Sequence, residues 1–332
     1  MCPQQYFMEY VLGWRGKGGL KADKGTIVHK ALEVMALAKK AKQDGLSFYT
    51  DDILGEVSSS RYDLNEITER IYTYYSTAFS YHDWKPRDLK DCINWTWKAV
   101  KFNDGMFDPR KRHVVEAEPH FDFEIDEPWA KYEYDLNGEK IRGTLSMKGT
   151  IDLITKVDDG FYEIVDWKTG RRLDWATGEE KTFAKLTKDP QLRIYHYAAS
   201  QLYPEAEQIM VTIYFINDGG PFSICFTKKD MPETKAMIRK KFEDIKSTRI
   251  PRLKRSWKCS KICHQGMTTF EDTDVHPMLE TRHGKVTPYG QTMSKCEQVR
   301  YEIESKGMQK VVEDYTAPNH DVAKYKAPGS IE

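Results

Sequence analysis

The sequence predicts an α/β fold, a mixed central sheet flanked by helices, with a helical insertion and a cysteine-bearing C-terminal segment. Three observations predict it. Residues 24–43 place Ile27, Val28, Ala31, Leu32, Met35 and Leu37 on the apolar side of a helix. From Val114 to Ile125 the pattern alternates, with Val115, Ala117, Phe121, Phe123 and Ile125 against Glu116, Glu118, His120, Asp122 and Glu124, as in a strand with one polar face. Two further strands flank Asp158-Asp159-Gly160, and a helix, two strands and a helix follow, which is the order of an α/β core with mixed pairing.

Taken in order, the first helix stops at Gly45. Helical patterns near 62–81 and 87–103 make an insertion over about 46–113, and their Tyr and Trp residues at helical spacing read as core. Strands are expected at about 145–157 and 161–168, a helix near 189–203, strands at about 208–216 and 221–227, and a helix over 231–247. Residues 1–248 are thus expected to form one domain. Residues 249–332 turn polar and basic, and the last twenty, with Pro318 and Pro328, read as a tail or loosely packed extension. No internal repeat is visible.

A chain of 332 residues can bury a full core. No run approaches the roughly 18 apolar residues of a membrane span, and the N-terminus lacks the basic and apolar pattern of a secretory signal, so a cytoplasmic protein is expected, with no membrane partner. Net charge is zero, 51 basic against 51 acidic residues, which excludes indiscriminate coating of nucleic acid and leaves local patches. The densest is Arg249, Arg252, Lys254, Arg255, Lys258 and Lys261. Lys39, Lys40 and Lys42, and Arg110, Lys111 and Arg112, read as solvated faces.

Chemistry concentrates in Gly149-Thr150-Ile151-Asp152 and Asp166-Trp167-Lys168-Thr169-Gly170. A three-residue loop with Gly160 left-handed pairs Val157 with Phe161, and that register sets Asp152 opposite Asp166. Lys168 emerges on the same face as Asp166, and Trp167 on the other. Opposed β-carbons lie only about 4.5–5.5 Å apart, so two carboxylates there need a positive partner. Lys168 supplies part of it, and Mg²⁺ or Mn²⁺ suits the remaining oxygen ligands. Such a site favours phosphodiester hydrolysis. His29 interrupts the apolar face of the first helix, and Gln191 and Tyr195, spaced i, i+4, share a face of theirs.

These elements, in this order, resemble the PD-(D/E)xK nucleases of the RecB-like group, which includes CRISPR-associated and phage exonucleases. The resemblance covers residues 1–265 and rests on Cys2-Pro3, His29 in G-x-x-x-H-x-x-L-E, Gly149-x-x-Asp152, Asp166-x-Lys168-Thr169-Gly170 and Gln191-x-x-x-Tyr195. It implies a restriction-endonuclease-like core. It also implies metal binding by His29, Asp152, Asp166 and the Trp167 backbone carbonyl, with Lys168 acting on the attacking water and Gln191 and Tyr195 positioning DNA and the catalytic groups. The imidazole tilts the metal toward Mn²⁺. Glu118 stands where members often carry an acid on the first core strand, to bind a second metal or to steady Lys168.

Cys92 and Cys225 sit in apolar patterns and read as core. The resemblance implies a [4Fe-4S] cluster on Cys2, Cys259, Cys263 and Cys296, with Zn²⁺ on the same thiols or His264 as the alternative. Two departures are the C-x-x-x-C spacing and the distance to Cys296. In either case the metal ties the basic segment, including Arg252, Lys254, Arg255 and Lys258, to the core, where it grips DNA.

The expected activity is a metal-dependent DNA exonuclease acting on ends of linear or single-stranded DNA in recombination, repair or phage DNA processing. No Gly-x-x-x-x-Gly-Lys-Ser/Thr occurs, so a helicase, recombinase or single-strand-binding partner is expected where duplex must be opened. The alternatives are a CRISPR adaptation nuclease, an endonuclease, and a catalytically silent DNA-binding protein on the same fold.

Overall fold

The structure, a computed structural model, describes residues 2–317 and 320 except 15, 17, 137–138, 174–177, 248–250, 252–254, 262 and 268–293. Arg249, Arg252 and Lys254 of the basic patch, and residues 321–332 of the expected tail, lie outside the described residues. In chain order the elements are α1 (Pro3–Tyr6), continued by a wider helical turn, α2 (Leu20–Gln43), β1 (Phe48–Asp51), β2 (Gly55–Ser58), α3 (Leu64–Ala78) and α4 (Pro86–Lys101). Then come β3 (His113–Ala117), β4 (His120–Glu124), β5 (Lys131–Leu136), β6 (Glu139–Thr144), β7 (Ser146–Thr150), β8 (Leu153–Asp158) and β9 (Phe161–Lys168). They are followed by α5 (Phe183–Leu186), α6 (Pro190–Leu202), β10 (Gln208–Phe215), β11 (Gly220–Thr227), α7 (Met231–Lys246), α8 (His264–Met267), α9 (Lys295–Lys306) and α10 (Met308–Tyr315).

Local chemistry sets the helix ends. Asp63 caps α3 by accepting the Asn65 and Glu66 amides, and Asp189 caps α6 by accepting the Gln191 amide ahead of Pro190. Gly45, at φ +77°, takes the left-handed position just past α2.

The chain divides into two units. The first comprises residues 18–123 and 146–238. Its sheet has the order β11-β10-β9-β8-β3, with β9 and β10 parallel and the other pairs antiparallel, so the expected mixed α/β core is present. β9 is buried from Tyr162 to Trp167 because both its faces are covered. Val165 and Trp167 join a core with Ile27, Leu32 and Met35 of α2, while Tyr162 and Ile164 join a core with Leu192, Ala198 and Ala199 of α6. Two acids are buried in the strand, Asp166 and Glu163, the latter held by Arg112 and by the Thr212 hydroxyl at 2.8 Å.

The second unit comprises residues 1–17, 124–145 and 239–332. In its apolar core Phe7, Met8, Val11 and Leu12 lie with Val299, Ile303, Val311 and Tyr315. No helix among the described residues is long and apolar enough to cross a membrane.

Several expectations need correction. The region read as all-helical, 46–113, also holds the β1–β2 hairpin, whose strands of four residues are too short for a periodicity to register. The strand expected over 114–125 breaks after Ala117, and that expected over 145–157 breaks after Thr150. The β8–β9 hairpin keeps the expected register along its body, with Leu153 opposite Val165. It closes with Asp158 opposite Phe161, so Val157 is left out of the ladder, and Gly160 is left-handed at φ +66°. Cys92 is buried as expected, but Cys225 is exposed: β11 is an edge strand whose Phe222 and Phe226 face the core, and Cys225 falls on the alternate face. The stretch read as a tail begins inside α10, where Tyr315 is fully buried.

Candidate active site

The two strand breaks lie at the same level. Beyond Ala117 and before Leu153 the ladder stops, and the Glu118 amide donates to the Asp152 carbonyl at 3.0 Å while the Ile151 amide donates to the Pro119 carbonyl at 3.2 Å. Glu118 adopts φ +49°, a conformation rare for a side chain of its kind. Strain of this type costs on the order of 1–3 kcal/mol and persists where surrounding structure enforces it.

Asp152 Oδ2 accepts the Trp167 amide at 2.8 Å and lies 3.4 Å from His29 Nδ1 on α2. His29, Glu118 and Asp152 each bring a ligand atom within 4.8 Å of the others, a set of donors suited to a divalent cation. Burial pushes the Glu118 carboxyl up to about 8, with Asp152 and Glu33 adding to the rise and Lys30 opposing it. Asp152 is also raised, chiefly by burial, with His29 opposing and Asp166 adding. Two neighbouring carboxyls whose burial disfavours their charged forms are a place where a cation restores charge balance.

Asp166 is 1% exposed and anchored from α6. Its Oδ1 accepts the Tyr195 hydroxyl at 2.8 Å and Gln191 Nε2 at 3.1 Å, and Gln191 Nε2 also reaches the Tyr195 oxygen at 2.8 Å. Asp166 Oδ2 lies 2.6 Å from Lys168 Nζ, off the geometry of a hydrogen bond, so this buried oxygen keeps an unfilled lone pair. Of the expected residues, His29, Asp152 and Glu118 converge as a triad, and Asp166 is held by Tyr195, Gln191 and Lys168.

The cleft lined by His29, Glu118, Asp152, Trp167 and Lys168 has a volume of about 470 Å³. Sequence reasoning did not single out four of its other residues, Lys30, Glu33, Tyr75 and Thr169, as site residues. Glu33 was visible as the last letter of the G-x-x-x-H-x-x-L-E run. Lys30 Nζ lies 2.8 Å from Glu33 and 2.9 Å from the buried Asp51, at the end of β1. Gly25 is required by Thr169: a β-carbon there would lie 2.7 Å from the Thr169 hydroxyl.

In the other unit, Cys2, Cys259, Cys263 and Cys296 gather at the start of α1, before α8 and in α9. Burial pushes the Cys296 thiol up to about 12, and the next contributions are the nearby Cys2, Cys263 and Cys259 thiols. Residues 294 positions apart are thus brought within electrostatic reach. The Cys263 amide donates to the Lys258 carbonyl at 2.8 Å, and Gly266 packs so closely on Cys259 that a β-carbon would clash with its carbonyl oxygen. Thiolates are the donors of both iron–sulfur clusters and zinc sites. Of the expected DNA-binding residues described here, Arg255 is exposed and 3.5 Å from Glu297, and Lys258 is half-buried. The run read as a solvated face holds only at Lys111: Arg110 and Arg112 are half-buried and engaged by Asp108 and Glu163.

The family model described as the PD-(D/E)XK nuclease superfamily matches residues 1–265. No curated protein matches the chain. Among solved structures, the crystal structure of SSO0001 is similar with a TM-score of 0.27 and 17% identity over 60% of this chain and 79% of that one.

Proposed function

Because the chain belongs to the PD-(D/E)XK nuclease superfamily, we propose that it is a metal-dependent deoxyribonuclease that works as an exonuclease on the ends of linear or single-stranded DNA, in recombination, repair or phage DNA processing. The observation that carries this reading is the meeting of His29, Glu118 and Asp152 beside the Asp166–Lys168 pair.

His29, Glu118 and Asp152 would hold Mg²⁺ or Mn²⁺, with Asp166 and the Trp167 carbonyl as further ligands, and the imidazole favours Mn²⁺. When bound, the metal supplies Lewis-acid polarisation of the phosphate and a more acidic water. Lys168, one-third exposed at the cleft, orients the attacking water and meets developing charge on the phosphate. Tyr195 and Gln191 keep Asp166 from rotating, so its free lone pair stays aimed. The four cysteines are proposed to hold a [4Fe-4S] cluster, with zinc as the competing occupant. Its role is structural, joining the chain's two ends, and Arg252, Lys254, Arg255 and Lys258 beside it are proposed DNA contacts.

The test is Mn²⁺-dependent digestion of end-labelled linear DNA against covalently closed circular DNA, with wild type and Lys168→Ala purified without oxygen. Loss of linear DNA alone, absent in the variant, supports the exonuclease and reveals its polarity. Cutting of the circle makes the protein an endonuclease. Tight binding with no cleavage of any substrate sinks the enzymatic reading.

A further inference from the structure

The aromatic residues of the insertion divide: Tyr72, Tyr75, Trp84, Trp95 and Trp97 pack against the core as expected, while Tyr74 and Tyr81 stay exposed. The buried stripe of α3 is Leu64, Ile67, Thr68 and Ile71, and it ends there. Past it, Tyr75 lines the active-site cleft, with the Tyr74 ring 5.2 Å away and the Phe79 ring stacked at 5.3 Å. The row continues into the turn before α4: Phe79 to Tyr81 is 5.9 Å, Tyr81 to His82 4.4 Å, and His82 to Trp84 5.6 Å. Six rings in series touch, and none is buried. Tyr74 is 52% exposed and Tyr81 39%, where Ile71 on the same helix is 0%.

The exposed rings are nevertheless held in place. The Tyr81 hydroxyl and His82 Nε2 both reach Asp23 Oδ2, at 2.8 and 2.7 Å, and Trp84 Nε1 donates to the Phe79 carbonyl at 3.0 Å. An ordered, partly solvent-facing aromatic row offers ring faces for stacking, and near one end Tyr75 opens it into the candidate nuclease cleft.

Resting on the nuclease reading above, we propose that Tyr74, Tyr75, Phe79, Tyr81, His82 and Trp84 form a base-stacking track for single-stranded DNA that feeds one strand into the cleft at Tyr75. Every base has a π-face, so stacking on such rings tolerates any sequence, as a nuclease that travels along a strand requires. Bases within an intact duplex are already stacked and paired and cannot lie on the track. The row therefore selects single strands, overhangs and frayed ends.

The test measures binding in EDTA, where no cleavage interferes, by fluorescence anisotropy of labelled oligothymidine and of an abasic oligonucleotide of equal length. Wild type is expected to favour the base-bearing strand. Tyr74→Ala and Phe79→Ala are each expected to weaken oligothymidine binding about tenfold while leaving abasic binding unchanged, and Phe79→Trp to retain the wild-type value. Equal loss on both oligonucleotides, no loss on either, or a matching loss on blunt duplex would overturn the track. Wild-type digestion of linear DNA with Mn²⁺ is read separately. If it fails, the nuclease reading falls, while the anisotropy ratio still decides whether bases stack here.

Discussion

The amide of Glu118 donates to the carbonyl of Asp152 at 3.0 Å, so the two acids stand side by side where the β3–β8 ladder stops. A regular ladder would alternate these side chains between faces in step with their neighbours. The break releases them from that constraint and lets both carboxylates approach His29 on α2. Burial of the pair is tolerable only because protons or a cation neutralise it, and this leads to the first two expectations.

Glu118→Gly should raise the stability of the metal-free protein by about 1 kcal/mol, because glycine adopts φ +49° without strain and a buried carboxyl is removed. The same change should lower apparent Mn²⁺ affinity by at least about tenfold. Urea denaturation in EDTA and Mn²⁺ titration of cleavage check the two effects; a less stable variant would show that φ strain is not what the site stores.

The Glu118 carboxyl, ordinarily near 4.5, lies near 8 in the folded metal-free protein, so the native state binds more protons than the unfolded chain between those values. Stability in EDTA should be fully present below about 4.5 and decline as pH rises toward 8, and Asp152, shifted in the same direction, should steepen the decline. Mn²⁺ should flatten the slope, since metal replaces the protons. Thermal midpoints measured across this range with and without Mn²⁺ provide the comparison.

Burial pushes the Tyr195 phenol far above its usual range, and Asp166 and Asp152 add to the rise, so it remains a hydrogen-bond donor. Tyr195→Phe leaves Asp166 Oδ1 with Gln191 alone and should cost about 1–3 kcal/mol, with slower cleavage. Denaturation paired with single-turnover kinetics would show this. An unchanged rate would mean that Lys168 and Gln191 suffice to hold Asp166.

Protein purified without oxygen should carry iron and acid-labile sulfide and absorb broadly in the visible range, and Cys296→Ser should lower all three. Zinc in place of iron would assign the four thiols to a zinc site, and wild type free of both metals would remove the tie between the chain's ends. Elemental analysis distinguishes these results.

The parts of the site that were legible in the sequence are those set by local periodicity. Strand alternation put Lys168 with Asp166 and opposed them to Trp167, and the hairpin's glycine set a register that holds from Leu153 to Lys156. The i, i+4 spacing put Gln191 and Tyr195 on one helical face, where they meet Asp166. Glu118 shows the limit: alternation runs unbroken through Ala117-Glu118-Pro119, so nothing local marks the left-handed residue there, although Pro119 excludes a continuing ladder bond. The aromatic residues were legible in part: Tyr72, Tyr75, Trp95 and Trp97 pack on the core as expected, while Tyr74 and Tyr81 stay exposed, because Tyr and Trp at helical spacing look the same on either side of a helix.

What the sequence by itself determined is the identity of the chemical groups and their order within each element, because one-residue alternation and helical spacing act over a few neighbours. Tertiary structure alone decided which groups share space: His29 reaches Asp152 across 123 positions and Cys2 approaches Cys296 across 294, distances over which no local preference operates. Those meetings depend on burying apolar faces of α2, α6 and α9 against particular partners, and burial, unlike backbone preference, is a property of the whole folded chain.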